Sequence, residues 1–282
     1  VEQGFVVVHK PTNWEVDAGS HNNAGSEASS ASRRSRPLPL SSFLQDLFPE
    51  SSILHDAAAG CGFLGRLDAQ SSGLVLCALS YEAHLLLQLR QDTHAVSREY
   101  VVLCHGHVPT ELKEVNAPIR AEPGMSSRVD TATGMPAVTW LRPIAWLVRA
   151  DTAEKYSLVV LSILTGRKHQ IRTHLAHVGH PVVCDGRYGP QKLEADLRWC
   201  PRNFLHRFRL EWPELPLAGT EVSKSRHQVR EHLPDDLRQV LRASGLRPWR
   251  AGCAISAEAL DAWAEGAAPL ANFDAWAEVS FD

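Results

Sequence analysis

Arg66 and Asp68 lie two positions apart in the run Gly65-Arg66-Leu67-Asp68-Ala69-Gln70-Ser71-Ser72-Gly73, which leads straight into the apolar residues Leu74, Val75 and Leu76. A polar turn anchored on a buried strand can hold one carboxylate in one orientation. That is what a nucleophile or a general base must have. Taken alone, the run reads as an ordinary turn, because Asp, Ser and Gly favour turns through side-chain bonds to the backbone and through tolerated dihedrals.

A second concentration of reactive groups spans T-G-R-K-H-Q-I-R-T-H-L-A-H-V-G-H, residues 165–180. Arg167, Lys168, His169 and Arg172 gather where a polar turn enters a helix, a place whose backbone N–H groups and dipole favour phosphate. Contacts of that kind weaken as salt rises. The competing reading of such a charge run is a solvated helix face. His169, His174, His177 and His180 are crowded, and His174 with His177 share a helical face as metal ligands do. The run has no H-E-x-x-H, and its basic neighbours oppose an added cation, so no metal is expected.

The elements that must position these groups follow from periodicity. Residues 4–10 read as a β-branched strand stopped by Pro11, and residues 41–47 as a helix capped by Ser41 or Ser42, with Phe43, Leu44, Leu47 and Phe48 on its apolar face. Residues 81–89 form a second helix and residues 98–105 a strand. Short hairpin strands follow from Pro109, and residues 139–149 and 156–165 are two further strands, the second dense enough in Val, Leu and Ile for a strand covered on both faces. Residues 166–178 predict a helix with Ile171, Leu175 and Val178 on one side and a basic, imidazole-rich face on the other, ended by Gly179 and Pro181. A short strand and turn from Pro181, an alternating strand over 204–212 and a helix over 234–245 complete the order. Strands scattered among helices without β-α-β regularity indicate an α+β fold.

Composition narrows the classes further. The 282 residues are 44% hydrophobic and 22% charged with a formal charge of -3, so bulk positive charge is not the means of any nucleic-acid or membrane binding. Residues 247–282 hold Arg247 and Arg250 against six carboxylates, which makes this end acidic and leaves the rest near neutral. Residues 17–39, rich in Ser, Ala, Gly and Asn, cannot bury enough apolar surface to offset ordering and are expected to be a disordered insertion. Six scattered cysteines without a C-x-x-C pair suit a reducing, intracellular compartment, and no apolar run reaches the roughly 18 residues of a membrane span.

Three separated pieces together resemble one family. G-R-L-D-A-Q-S-S-G-L-V-L is similar to the H-R-L-D-x-x-T-S-G-L-L-L motif of RluA-type pseudouridine synthases. T-G-R-K-H-Q-I-R-T-H-L-A-H-V-G-H-P-V-V-C-D-G-R-Y-G is similar to that family's T-G-R-x-H-Q-I-R-V-H-L-x-x-x-G-x-P-I-x-G-D-x-x-Y-G, and R-E-Y-V-V-L-C-H-G between them to its K-x-Y-x-A-x-V-x-G strand. F-V-V-V-H-K-P precedes them, and L-H-R-F-R-L-E-W-P and L-P-D-D-L-R-Q-V-L follow in the family's order.

The resemblance implies a catalytic domain over residues 1–246 with a mixed, mainly antiparallel central sheet and flanking helices, followed by an acidic extension over 247–282. It implies isomerisation of uridine to pseudouridine inside ribosomal or transfer RNA, with no cofactor and no metal. Its catalytic aspartate falls on Asp68, its active-site aromatic on Tyr100 and the partner arginine on Arg172; Arg66, Arg167, Lys168 and His169 become RNA contacts. The chemistry of these residue types agrees with those roles. A carboxylate can stabilise developing charge at C1′ or remove a neighbouring proton. A neighbouring arginine favours its charged form and orients it through a planar fork. An aromatic ring can stack on the detached base, and its hydroxyl could accept or relay the C5 proton. Since a stacked base is out of reach, the target nucleotide is flipped out. A monomer is the expected state, without membrane attachment.

Gly65 stands where the family has His, Ser71 where it has Thr, and V-H-K-P-T-N-W-E-V where it has V-x-K-P-x-G-x-x-V, differences that bear on substrate choice more than on chemistry. Two other classes fit the same scaffold or the same carboxylate. One is a catalytically silent RNA-binding or folding factor, against which the filled positions 68, 100 and 172 count. The other is a carboxylate-based hydrolase, which lacks the second acidic partner that glycosidases use.

Overall fold

The apolar runs of the sequence become strands that meet in two compact units, and the computed structural model describes residues 4–17, 38–122, 125–213 and 226–248. The first unit comprises Val1–Val96, Glu122–Met125 and Glu211–Val229; the second comprises Ser97–Ala121, Ser126–Leu210 and Arg230–Asp282. Residues 18–37 of the expected insertion and 249–282 of the acidic extension lie outside the described residues.

In the first unit the chain runs through β1 (Phe5–Lys10), β2 (Trp14–Glu15), β3 (Leu38–Pro39), α1 (Leu40–Leu47), β4 (Phe63–Leu64), β5 (Ser72–Ala78) and α2 (Tyr81–Asp92). All seven residues of β5 are buried, and both β1 and β4 pair with it antiparallel, so that Cys77 faces Val6 on one side and Phe63 on the other. The short β2 and β3 pair in parallel. Val16, Leu40, Leu44, Leu54, Phe63, Val75 and Cys77 form the apolar core of this unit. Helix α2 starts as N-capping rules expect, with the Ser80 hydroxyl accepting from the Ala83 amide at 3.2 Å. Helix α1 does not: it begins at Leu40, with Pro39 rather than a serine at the cap, and the Ser41 amide is met by the carbonyl of Val16. Its Phe43 and Leu47, expected to face a core, are exposed.

The second unit holds β6 (Ser97–His105), β7 (Glu114–Asn116), β8 (Ile119–Arg120), β9 (Arg128–Val129), β10 (Val138–Arg149), β11 (Lys155–Ile163), α3 (Gln170–His177), α4 (Pro190–Asp196) and β12 (Leu205–Pro213), the last three residues of β12 belonging to the first unit. After β13 (Arg226–Arg230), which pairs with β12, come α5 (Asp235–Ala243) and β14 (Leu246–Pro248). The strand order is β12-β6-β11-β10-β14, with β7 also on β10. Pairings of β6 with β11, β11 with β10, and β10 with β7 and β14 are all antiparallel. Every residue of β11 after Lys155 is buried, as its unbroken apolar run predicts for a strand covered on both faces. Val101, Leu103, Leu158, Val160, Phe204 and Phe208 pack with Leu237, Val240 and Leu241 of α5 in the core of this unit. The fold is α+β with mainly antiparallel sheet.

Two local expectations change. The helix predicted over 166–178 starts only at Gln170, because His169 takes a left-handed φ of 55° and the Gln170 side chain closes the preceding turn, its Oε1 accepting from the Arg167 amide (3.0 Å) and the Thr165 hydroxyl (2.8 Å). Six of its eight residues are buried, Arg172 and His174 among them, so its polar side is not a solvated face. The strand expected after Pro181 reduces to a single bridge between Val182 and Cys104, and the unanticipated α4 follows with Pro190 at its first position. Among the described residues no helix is long and apolar enough to cross a membrane.

Candidate active site

Asp68 belongs to the first unit, in the turn between β4 and β5. Gly65 opens that turn at φ 85°, a backbone conformation that side chains disfavour, and the Ser71 amide closes it on the Asp68 carbonyl at 3.0 Å. A second loop braces it: the Asn13 amide donates to Ala69 O at 2.7 Å and the Thr12 hydroxyl to Gln70 O at 3.0 Å. The brace is anchored by Lys10, 0% exposed, whose ammonium donates to the carbonyls of Pro11 (2.8 Å), Trp14 (2.7 Å) and Ala69 (3.1 Å). A buried charge is tolerated only when it is fully solvated by protein groups, and three carbonyls match the three donors of an ammonium. Asp68 is therefore half-buried on a backbone held from two sides. Arg66 points outward from the same turn; its side chain is 61% exposed and lies 4.0 Å from the Asp17 carboxylate.

Tyr100 lies in the second unit on β6, opposite Leu161 of β11, and is 3% exposed. Its hydroxyl oxygen accepts from Nε (2.8 Å) and Nη2 (2.6 Å) of Arg207, a buried residue of the neighbouring β12. The residues flanking Tyr100 are committed too. Glu99 pairs with Arg209, and Arg98 donates from Nη2 to Leu164 O at 2.9 Å while burial lowers its pKa.

Arg172 of α3 meets Asp185 through two parallel bonds, Nε to Oδ2 at 2.7 Å and Nη2 to Oδ1 at 2.8 Å. Burial alone would push the Asp185 carboxyl up; Arg172 and the amides of Arg187 and Tyr188 outweigh it and hold the group below the usual carboxylate range. The Arg172 guanidinium also lies 5.0 Å from the centre of the Tyr188 ring. The Tyr188 hydroxyl accepts from the Ser127 amide and bonds His169 Nδ1, both at 2.9 Å, so His169 and Arg172 are joined through one tyrosine. Arg167 donates from Nε to Pro136 O at 3.0 Å, and Lys168 is exposed.

The histidines of this segment serve separate purposes. His174 is fully buried in a relay: Gln170 Nε2 donates to Thr139 Oγ1 (3.1 Å), which lies 2.9 Å from His174 Nδ1, and His174 Nε2 lies 2.9 Å from the Ala117 carbonyl. Facing a carbonyl, Nε2 must carry the proton, and Nδ1 then accepts from Thr139. Burial lowers the pKa of His174. His180 bonds the His105 carbonyl, and His177 is exposed.

Four residues with structural command of the candidate groups were not singled out from sequence: Lys10, Asp185, Tyr188 and Arg207. Asp185 and Tyr188 lay within the third motif and Lys10 within H-K-P, but a motif does not say which of its members touch. Arg207 lay within L-H-R-F-R-L-E-W-P, an alternating segment in the family's order that names no partner for it.

Comparison with known proteins identifies the family. The profile of the RNA pseudouridylate synthase family matches residues 4–177. Ribosomal large subunit pseudouridine synthase C of Vibrio cholerae is 33% identical over 195 residues, 68% of this chain and 52% of that protein. tRNA pseudouridine synthase C of Haemophilus ducreyi is 33% identical over 134 residues, 44% of this chain and 54% of that protein. Among solved structures, human RNA pseudouridylate synthase domain containing 1 superposes with a TM-score of 0.61 at 22% identity, over 93% of this chain and 91% of that one, a likeness of fold. The chain spans about half the length of the curated relatives it matches. Since the family match covers more than half of the chain and contains Asp68, Tyr100 and Arg172, the chain belongs to the RNA pseudouridylate synthase family.

Proposed function

We propose that the protein is an RNA pseudouridine synthase, which isomerises uridine to pseudouridine in ribosomal or transfer RNA with Asp68 as the reactive carboxylate. The observation that carries the reading is the family match over residues 4–177, which includes all three candidate catalytic positions. The names of two relatives, one acting on the ribosomal large subunit and one on tRNA, support these two substrate classes.

The reaction breaks the N1–C1′ bond, forms a C5–C1′ bond and moves one proton from C5 to N1. It is balanced without an external reactant. Asp68 either attacks C1′ or removes a neighbouring proton, and the brace formed by Lys10, Thr12 and Asn13 gives its backbone the fixed placement that either route demands. Tyr100 holds the detached base. Arg172, locked on Asp185, supplies a fixed positive charge. Arg66, Arg167, Lys168 and His169 contact the RNA, with exposed Arg66 and Lys168 suited to phosphates. The target uridine is flipped out of the RNA stack before it reacts.

The test is pseudouridine formation in RNA from cells lacking the protein, restored with the intact chain or with Asp68→Asn. The variant is expected to bind RNA as before and to lose at least about 10³-fold in rate. Undiminished pseudouridine formation by Asp68→Asn would reject the assignment.

A further inference from the structure

We propose that Arg207 is a positioning residue of the pseudouridine-forming site: it clamps the phenol oxygen of Tyr100 from one side and so sets the direction in which the hydroxyl can donate to the nucleobase. The inference rests on the reading of Tyr100 as an active-site residue, and it concerns a residue outside the three recognised motifs.

A phenol has one proton to give and two lone pairs with which to accept. The oxygen of Tyr100 accepts two N–H groups of one guanidinium, at 2.8 Å from Nε and 2.6 Å from Nη2. The guanidinium carbon lies 5.0 Å from the ring centre, so the ring is held as well as its oxygen. Both side chains are 3% exposed and stand on adjacent strands, β6 and β12, within the second unit. A planar fork on buried strands is a stiff support, and a lysine could not reproduce it. With two N–H groups aimed at its oxygen from one side, the hydroxyl must turn its O–H bond away from Arg207.

This arrangement favours one of two uses of Tyr100. A phenol oxygen that already accepts two bonds from a cation is a poor acceptor for the C5 proton. It can donate a hydrogen bond to a uracil carbonyl, and it can relay a proton only by first giving its own. On this account the detached base is kept in register, while it turns from N1 to C5, by a donor whose direction Arg207 sets. Misplacing such a donor by about 1 Å is enough to cost roughly 10²-fold in rate.

The test uses Arg207→Ala, Arg207→Gln and Arg207→Lys in the full chain, with Tyr100→Phe as the reference. Turnover is measured with enzyme in excess over RNA, and RNA affinity and thermal midpoint are measured for each variant. Arg207→Ala is expected to lower the rate roughly 10- to 100-fold with RNA affinity within about twofold, and Arg207→Lys to recover part of the loss because it keeps one charged donor. In the Tyr100→Phe background the same Arg207→Ala change is expected to cost several-fold less, since the oxygen it holds is gone. Equal cost in the two backgrounds would overturn the proposal, as would full activity of Arg207→Ala, or a loss that follows the thermal midpoint across the three substitutions. Full activity of Tyr100→Phe would instead reject the assignment of Tyr100 on which the inference rests.

Discussion

Arg172 and Asp185 form a two-bond fork, Nε to Oδ2 and Nη2 to Oδ1, between a helix and the loop that follows it, with the carboxylate entirely out of solvent. Two backbone amides complete the coordination of Asp185, so the arginine is held at a fixed angle whatever else it meets.

Removing one member of such a pair strands the other. Arg172→Ala should destabilise the second unit by about 3–5 kcal/mol, because a buried carboxylate loses its counter-charge, and urea denaturation of the variant against the intact chain measures this. Arg172→Lys should recover only part, since an ammonium cannot bond both oxygens in parallel.

Acid should act on this protein in two stages. His174 has a folded pKa below its unfolded value of about 6.5, so its contribution to stability is complete above that value and is lost as pH falls through the folded pKa. Asp185 is depressed as well, and its contribution is complete above an unfolded value near about 3.9 and lost at still lower pH. Denaturation midpoints at pH 7.5 and pH 5 test the first stage: the intact chain should weaken between them, and His174→Gln should show a flatter dependence.

Lys10 should matter to rate as well as to stability. Lys10→Met removes three charge-assisted bonds, each of which stabilises by about 1.5–3 kcal/mol, and slackens the turn that carries Asp68. Turnover of the folded variant, measured well below its thermal midpoint, should fall while that of a Thr12→Val variant falls less.

The exposed cations are expected to work through phosphates. Arg66→Ala and Lys168→Ala should each weaken RNA binding and lower the slope of log affinity against log salt by about 0.7 to 1, as read by filter binding between 50 and 200 mM salt.

Gly65→Ala meets no obstruction, the nearest atom being Gln91 Oε1 at 3.8 Å from an added Cβ, but it must adopt φ 85°. A loss of about 1–2 kcal/mol is expected from backbone strain alone, and calorimetry of the variant would register it. The same strain would burden a histidine at this position.

Much of this structure was legible because local pattern and tertiary role agree. The unbroken apolar run of β11 announces a strand covered on both faces, and residues 81–89 announce α2. The motifs around Asp68, Tyr100 and Arg172 point to the family before any contact is known. What stayed hidden depends on which side chains meet, whether near or far along the chain. Gln170, five residues from Thr165, folds back to cap its own helix and so delays it to residue 170. His174 has a helical partner in His177 by spacing, but its two nitrogens are taken by Thr139 and Ala117, more than thirty residues away. Arg207 lies 107 residues from Tyr100, and no periodicity reports a contact of that kind.

The three carbonyls around Lys10 also make it a sequestered amine. An ammonium whose donors are all engaged, on a side chain with no exposure, is shielded from acylating reagents as long as the loop of Pro11 to Trp14 stays on the turn of Asp68. Its labelling rate therefore reports the opening of that loop, a local event distinct from global unfolding, and gives the first unit a chemical clock beside the turn that carries Asp68.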